Sequence, residues 1–175
     1  MIIRHTPTPS GPGNNVFLKE NVIVNGDEIT LKVRHDSPFL DVGWSCSEIS
    51  WEAKEGVYEL DLECPILLPK GIVCDVFLYQ DDENEVDIEF GRWNKWFNAN
   101  CQFVKQGESP IRFWNFKRNN NIFIKYEKNM VYMQLNGKFI AYPHNSKFER
   151  FIINLWISGQ PAEAQIKIKN FKFTK

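Results

Sequence analysis

A chain of 175 residues can enclose a substantial core, and we expect one domain spanning residues 1–175. Its balance of 43% hydrophobic and 25% charged residues is typical of a globular protein. A formal net charge of −1 with no basic stripe argues against nucleic acid or an anionic membrane as a partner. No apolar run is long enough to cross a bilayer, and residues 1–15 lack the apolar core of a signal peptide.

Strand patterns separated by turn signals dominate the chain. Asn25-Gly26 and Asn136-Gly137 each interrupt a run of alternating apolar residues, and Asn-Gly favours a hairpin because both residues tolerate positive φ. Further strands are predicted at 56–66, 71–79, 150–159 and 164–173. The last strand slips phase near Asn170, which indicates a β-bulge. Because no segment shows sustained helical periodicity, we expect an all-β antiparallel sandwich or barrel.

Four cysteines are scattered along the chain, at Cys46, Cys64, Cys74 and Cys101. None has the paired spacing or the histidine neighbours of a zinc site. Free cysteine is among the most buried residue types, so we expect buried thiols, with a single disulfide as the alternative.

The strand at 85–90, with the sequence E-V-D-I-E-F, carries the strongest chemical signal. At a period of two, Glu85, Asp87 and Glu89 share one face, while the other face is apolar and enters the core. Three carboxylates on one face repel each other, which leaves two interpretations: a solvated face or a catalytic floor. Glycoside hydrolysis requires two carboxyls, one ionised and one that donates a proton. In a retaining mechanism these lie about 5–5.5 Å apart, so the strand would have to be curved.

The segment N-E-V-D-I-E-F resembles the E-[IV]-D-[IL]-E-F signature of glycoside hydrolase family 16, in its lichenase-like form. Four further blocks resemble that family in the same order, at 10–33, 44–62, 98–104 and 151–159. The resemblance implies a two-sheet antiparallel β-jelly-roll sandwich with a concave substrate-binding sheet. It also implies endo-hydrolysis of a β-linked polysaccharide, most simply a β-glucan, with retention. Glu85 would then be the nucleophile, Glu89 the acid/base and Asp87 the assisting carboxyl.

The same resemblance implies a set of substrate-binding residues, namely Glu48, Asn100, Gln102, Asn154 and Trp156, to which the chemistry of aromatic stacking adds Trp93. Asn154 and Trp156 resemble an N-x-W pair that lines the cleft. Trp93, like Trp96, could stack on a sugar face. Other interpretations stay open: a solvated carboxylate for Glu48, cross-strand pairing for the amides, core packing for Trp156 and edge capping for Trp93 and Trp96.

The last strand has lysine where many family members have an aspartate associated with structural calcium, so we predict no metal and no cofactor. The expected partner is a polysaccharide or oligosaccharide substrate bound by a monomer, with no nucleic acid and no membrane. Such a substrate favours a secreted or periplasmic location, although the compartment stays open. The alternative function is a catalytically silent carbohydrate-binding protein on the same fold, because the chain is short for the family and its cleft loops are expected to be trimmed.

Overall fold

The computed structural model describes residues 1–10, 12–35, 43–65, 67–92, 101–115 and 117–175. Within these ranges the chain forms 16 strands and two short 3-10 helices, at Pro12–Asn14 and Lys19–Asn21. The strands are β1 (Ile2–Ile3), β2 (Thr6–Ser10), β3 (Asn15–Phe17), β4 (Val22–Asn25), β5 (Glu28–Val33), β6 (Ser47–Glu52), β7 (Gly56–Glu63), β8 (Ile72–Asp81), β9 (Asn84–Gly91), β10 (Cys101–Lys105), β11 (Ile111–Phe113), β12 (Asn119–Glu127), β13 (Met130–Leu135), β14 (Lys138–Pro143), β15 (Arg150–Ile157) and β16 (Ala164–Thr174).

Two seven-stranded antiparallel sheets form the body of the molecule. The front sheet has the order β1-β6-β15-β8-β9-β10-β11, and the back sheet has the order β14-β13-β12-β7-β16-β5-β4. A separate two-stranded ribbon joins β2 and β3. This arrangement is an all-β jelly-roll sandwich, which confirms the predicted fold class.

The core lies between the sheets and is built by period-two alternation. In β9, Val86, Ile88 and Phe90 are at most 1% exposed, so the apolar face of the acidic strand is fully committed to the interior. In the back sheet, Ile166 and Ile168 of β16 point inward, as the sequence predicts. Burying each such side chain stabilises the fold by about 1.5–3 kcal/mol. Because the apolar side chains of β9 point into the core, its carboxyl side chains point outward.

The predicted turns and bulge are present, with one correction. Asn136 and Gly137 both take positive φ between β13 and β14, as an Asn-Gly hairpin requires. In the first hairpin, Asn25 pairs with Glu28, so the turn centres on Gly26 and Asp27, one residue later than predicted. Asn170, at φ 52°, lies where the register of β16 shifts, which confirms the bulge.

All four cysteines are buried free thiols, as predicted. In the part of the chain that the structure describes, no helix is long and apolar enough to span a membrane.

Two glycines with nearly the same positive φ allow the cost of that backbone angle to be measured apart from the cost of steric crowding. Gly71 precedes β8 at φ 87° and Gly137 turns the β13–β14 hairpin at φ 85°. A Cβ on Gly71 would lie 2.5 Å from the Gln160 carbonyl oxygen, whereas a Cβ on Gly137 would meet nothing within 4 Å.

We expect Gly137→Ala to lower the free energy of unfolding by about 1–2 kcal/mol, the cost of a left-handed conformation for an L residue. Gly71→Ala should lose roughly 1–3 kcal/mol more, because the Gln160 backbone must move. Urea denaturation of the two variants measures the difference. Equal losses of unfolding free energy in the two variants would contradict the close contact between Gly71 and the backbone of Gln160.

Candidate active site

A cleft of about 810 Å³ runs across the outer face of the front sheet. It is lined by side chains of β6, β8, β9 and β15, together with residues 2 and 4 of the N-terminal segment. Tyr79 forms part of one end, where the Arg150 guanidinium lies 4.7 Å from its ring centroid. Its hydroxyl donates to Asp82 at 2.9 Å, and Asp82, an exposed turn residue, also lines the cleft.

A continuous row of polar residues crosses the front sheet; four of its members line the cleft and the last two lie beside it. Each member is the direct cross-strand neighbour of the next, because the strand register aligns them on one face. The polar row runs over six strands in the order Glu48, Asn154, Asp75, Glu89, Gln102 and Arg112. Asn154 is far in sequence from both of its neighbours, Glu48 and Asp75, so the row is complete only after β15 has paired between β6 and β8.

Glu85 and Asp87 form a carboxyl pair beside the polar row. Asp87 is 2% exposed, with Phe77 and Val104 as its cross-strand neighbours. This apolar burial, followed by the charge of Glu85 and a hydrogen bond to it, raises the pKa of Asp87 well above its ordinary value. Burial also raises the pKa of Glu85, and the hydrogen bond from Asp87 opposes that rise. Both shifts favour a proton on Asp87 in its hydrogen bond with Glu85.

Glu89 is held by a relay of donors from β10 and β11. The Arg112 Nε donates to Gln102 Oε1 at 3.0 Å, which orients the amide so that Gln102 Nε2 donates to Glu89 Oε2. Burial raises the pKa of Glu89, while the hydrogen bond from Gln102 and the charge of Arg112 lower it. The net direction is upward, so Glu89 holds a proton more tightly than an exposed glutamate.

Glu48 closes the other end of the polar row. It is 4% exposed, and its Oε2 accepts from the Arg4 guanidinium at 2.9 Å. Arg4 also stacks 4.2 Å from the centroid of the Phe17 ring and donates to Ser10 Oγ. The interpretation of Glu48 as a solvated hairpin carboxylate is therefore wrong.

Asn154 and Trp156 lie on one face of β15 and both line the cleft. Asn154 is 1% exposed. Trp156 is half-buried: its ring packs against the core, and its indole Nε1 donates to Asp75 Oδ2 at 2.5 Å. Core packing and cleft lining thus both describe Trp156.

The structure brings together six of the nine residues predicted from the sequence, and a seventh, Asp87, lies buried between Glu85 and Glu89 on the same face of β9. Those at or beside the cleft floor are Glu48, Glu85, Glu89, Gln102, Asn154 and Trp156. Trp93 and Asn100, together with Trp96, lie outside the described residues. A solvated acidic face is the wrong interpretation of 85–90, because Asp87 is buried and all three carboxyls have raised pKa values.

Sequence reasoning missed Arg4, Asp75 and Arg112. Asp75 did leave a signal, because it is the one charged residue in the apolar run G-I-V-C-D-V-F-L-Y of β8. A lone buried charge in such a run calls for a partner or a function. Arg4 and Arg112 left no such signal in the sequence, since each is a single cation in or next to a short edge strand.

Within the described ranges, no group of three or more His, Cys, Asp or Glu side chains has the geometry to hold a metal ion.

No protein-family model and no curated protein matches this chain, but solved structures share its fold. The β-glucanase of Bacillus licheniformis is 16% identical, with a TM-score of 0.75 over 99% of this chain and 91% of the other. A glycosyl hydrolase family 16 protein of Mycobacterium smegmatis is 13% identical, with a TM-score of 0.67 over 95% of this chain and 88% of the other. A pseudo β-1,3-glucanase of Mycobacterium tuberculosis is 13% identical, with a TM-score of 0.67 over 95% and 87%.

The fold is therefore that of glycoside hydrolase family 16 proteins, as the sequence resemblance implies. The likeness in fold extends over nearly the whole of this chain and includes both sheets.

The protonated state of Asp87 has a consequence for stability. Its pKa is raised in the folded protein, so the folded state keeps a proton that the unfolded chain releases above about pH 4. The free energy of unfolding accordingly falls as pH rises from there through the raised pKa, by about 1.4 kcal/mol for each unit of the shift.

We expect Asp87→Asn to have a higher free energy of unfolding than the parent at pH 7 and an equal one near pH 3, because the amide can donate to Glu85 without carrying a charge. Urea denaturation at both pH values measures this. Asp27→Asn, an exposed aspartate in the β4–β5 turn, is the control and should shift stability by no more than about 0.5 kcal/mol. A destabilised Asp87→Asn protein at pH 7 would refute the protonated state.

Proposed function

We propose that this protein is an endo-acting retaining glycoside hydrolase that cleaves a β-linked polysaccharide of the β-glucan type. The observation that carries the proposal is the placement of Glu85 and Glu89 on one face of β9, both lining the same cleft, with the buried Asp87 between them on that face. Two carboxyls of unequal environment are what a double-displacement reaction requires.

In the first step, the Glu85 carboxylate attacks the anomeric carbon of the sugar. A C–O bond forms between the enzyme and the sugar while the glycosidic C–O bond breaks. Glu89 delivers its proton to the departing oxygen, which leaves as a hydroxyl. The product at this stage is a glycosyl ester on Glu85, and Glu89 is ionised.

In the second step, a water molecule replaces the leaving group. The ionised Glu89 takes one proton from the water while the water oxygen bonds to the anomeric carbon. The ester bond breaks and its electron pair returns to Glu85 as a carboxylate. Two inversions at one carbon retain the β configuration, and both carboxyls regain their starting states.

Asp87 supports both steps from its buried position between Glu85 and Glu89. Its buried proton lies in a hydrogen bond to Glu85 while Glu85 is ionised, which stabilises the nucleophile as an anion in an otherwise desolvating site. Because Asp87 holds its proton, it adds no second charge beside Glu85.

The polar row supports a carbohydrate substrate. Glu48, Gln102 and Asn154 place carboxylate and amide groups along the cleft, where sugar hydroxyls can exchange hydrogen bonds with them. Trp156 adds an aromatic surface of the kind that packs on a pyranose ring. The β-glucan class is favoured by the likeness in fold to a β-glucanase.

A catalytically silent carbohydrate-binding protein is the second candidate, and one observation favours it. Gln102 and Arg112 both lower the pKa of Glu89 against the effect of burial, and a general acid needs its proton. A similar fold also occurs in a pseudo β-1,3-glucanase. The two candidates share the cleft and differ in whether Glu89 can donate.

The first test is the release of reducing ends from a panel of polysaccharides: mixed-linkage and β-1,3-glucan, xyloglucan, agarose and carrageenan. We expect the parent to cleave a β-glucan and Glu85→Gln to lose that activity while still binding the polymer in affinity gels, because the amide cannot attack. Equal hydrolysis by Glu85→Gln would refute the nucleophile. Retarded migration of the parent without cleavage of any polymer would favour the silent candidate.

Glu89→Gln should reduce hydrolysis by roughly 10²–10⁴, the usual contribution of a general acid. The deficit should shrink on aryl glycosides whose leaving group departs without a proton. Steady-state rates on natural and activated substrates measure both effects. A deficit of the same size on every substrate would contradict the role of proton donor.

A further inference from the structure

Asp75 is a fourth carboxyl at the floor of the cleft, and the proposed mechanism does not use it. It lies in the middle of β8, 7% exposed, directly opposite Glu89 on β9 and Asn154 on β15. Its Oδ2 accepts from the Trp156 indole at 2.5 Å. One carboxyl therefore touches or faces three residues of the candidate site.

Two buried oxygens in this part of the floor lack a partner. Asp75 Oδ1 and Asn154 Oδ1 are both shielded from solvent, and neither has a hydrogen-bond partner among the described residues. They belong to directly paired residues whose side chains share one face. Two acceptors cannot satisfy each other, and each unpaired buried oxygen is unfavourable. One proton placed between them satisfies both.

The surrounding charges also favour a proton at this position. Carboxyls approach Asp75 from β9, where Glu89, Glu85 and Asp87 lie, and from β6, where Glu48 lies. The described cations at or beside the cleft are directed elsewhere: Arg4 binds Glu48, Arg112 donates to Gln102 and Arg150 lies over the Tyr79 ring. Burial, followed by the charge of Glu89, raises the pKa of Asp75 well above its ordinary value, against the single opposing hydrogen bond from Trp156.

We propose that Asp75 is held as a neutral carboxylic acid and is a positioning residue of the cleft, donating from Oδ1 to Asn154 Oδ1 and accepting the Trp156 indole N–H at Oδ2. The Asn154 amide then has a fixed orientation, with Nδ2 free to donate to a sugar. The Trp156 ring is tied at its indole nitrogen, so its face is presented at a fixed angle. A neutral Asp75 would orient the sugar-binding side chains by hydrogen bonds, just as the hydrogen bonds from Arg112 to Gln102 and from Gln102 to Glu89 orient Glu89.

The neutral state also matters for the reaction, and this point rests on the proposed function. Glu89 must lose a proton in the first step and gain one in the second. A permanent charge on Asp75, directly opposite, would hold the proton on Glu89 and oppose its release. A neutral Asp75 leaves both protonation states of Glu89 accessible.

Infrared spectroscopy of the free protein at pH 7 tests the protonation state without any substrate. The C=O stretch of a protonated carboxylic acid should lose intensity in Asp75→Asn relative to the parent. Asp27→Asn, which removes an exposed aspartate from the β4–β5 turn, should leave that band unchanged. An acid band of equal intensity in the parent and Asp75→Asn would overturn the proposal. That result would mean that Asp75 is ionised and that the Asn154 amide turns its N–H toward it.

Kinetics or binding then test the positioning role. Asp75→Ala removes the donor and the acceptor together and should weaken polysaccharide binding, read as KM or as a dissociation constant, by roughly ten- to hundredfold. Asp75→Asn keeps a donor for Asn154 and an acceptor for Trp156, so it should recover most of that loss. Equal losses in the two variants would mean that the carboxylate charge is required, which overturns the proposal. A protein that hydrolyses nothing would refute the proposed function, and the infrared and binding measurements would still decide the state of Asp75.

Discussion

Repulsion among four carboxyl groups on two neighbouring strands constrains the chemistry of this cleft. Glu85, Asp87 and Glu89 on β9 and Asp75 on β8 share one face, and each has a raised pKa whose first cause is burial. Charges this close in a medium of reduced dielectric cannot all be present together. The raised pKa values favour protons in this site, and the positions of those protons would define which carboxyl attacks and which donates.

The sandwich supplies what this arrangement needs. The opposite face of β9 is fully buried, so its apolar side chains fix the strand and prevent the carboxyls from moving apart. Phe77, which lines the cleft opposite Asp87, is an apolar neighbour of that buried carboxyl. At the two ends of the polar row, Arg4 and Arg112 each make a directed hydrogen bond, to Glu48 and Gln102. The arginines at the ends of the polar row and the protons on the carboxyls near its middle both reduce the repulsion among the acidic groups, so the sheet can remain stable.

Local pattern predicts local features of this molecule well. The alternation in 85–90 fixes which carboxyls share a face, and Asn136-Gly137 and Asn170 mark a turn and a bulge that the structure contains. The polar row could not be predicted in the same way, because β15 pairs between β6 and β8 and so aligns residues far apart in sequence. Asp75 shows the difference: its position in an apolar run was visible, but its partners depend on the register of three strands.

The central claim is that β9 carries a nucleophile and a proton donor for a double displacement. Its most direct test is the anomeric configuration of the first product, followed by proton NMR from the earliest minutes after the parent protein meets a β-glucan. The account predicts that the β-anomer appears first and the α-anomer grows in later by mutarotation. An α-anomer at the start would mean a single displacement by water, and would contradict the assignment of Glu85 as the attacking group.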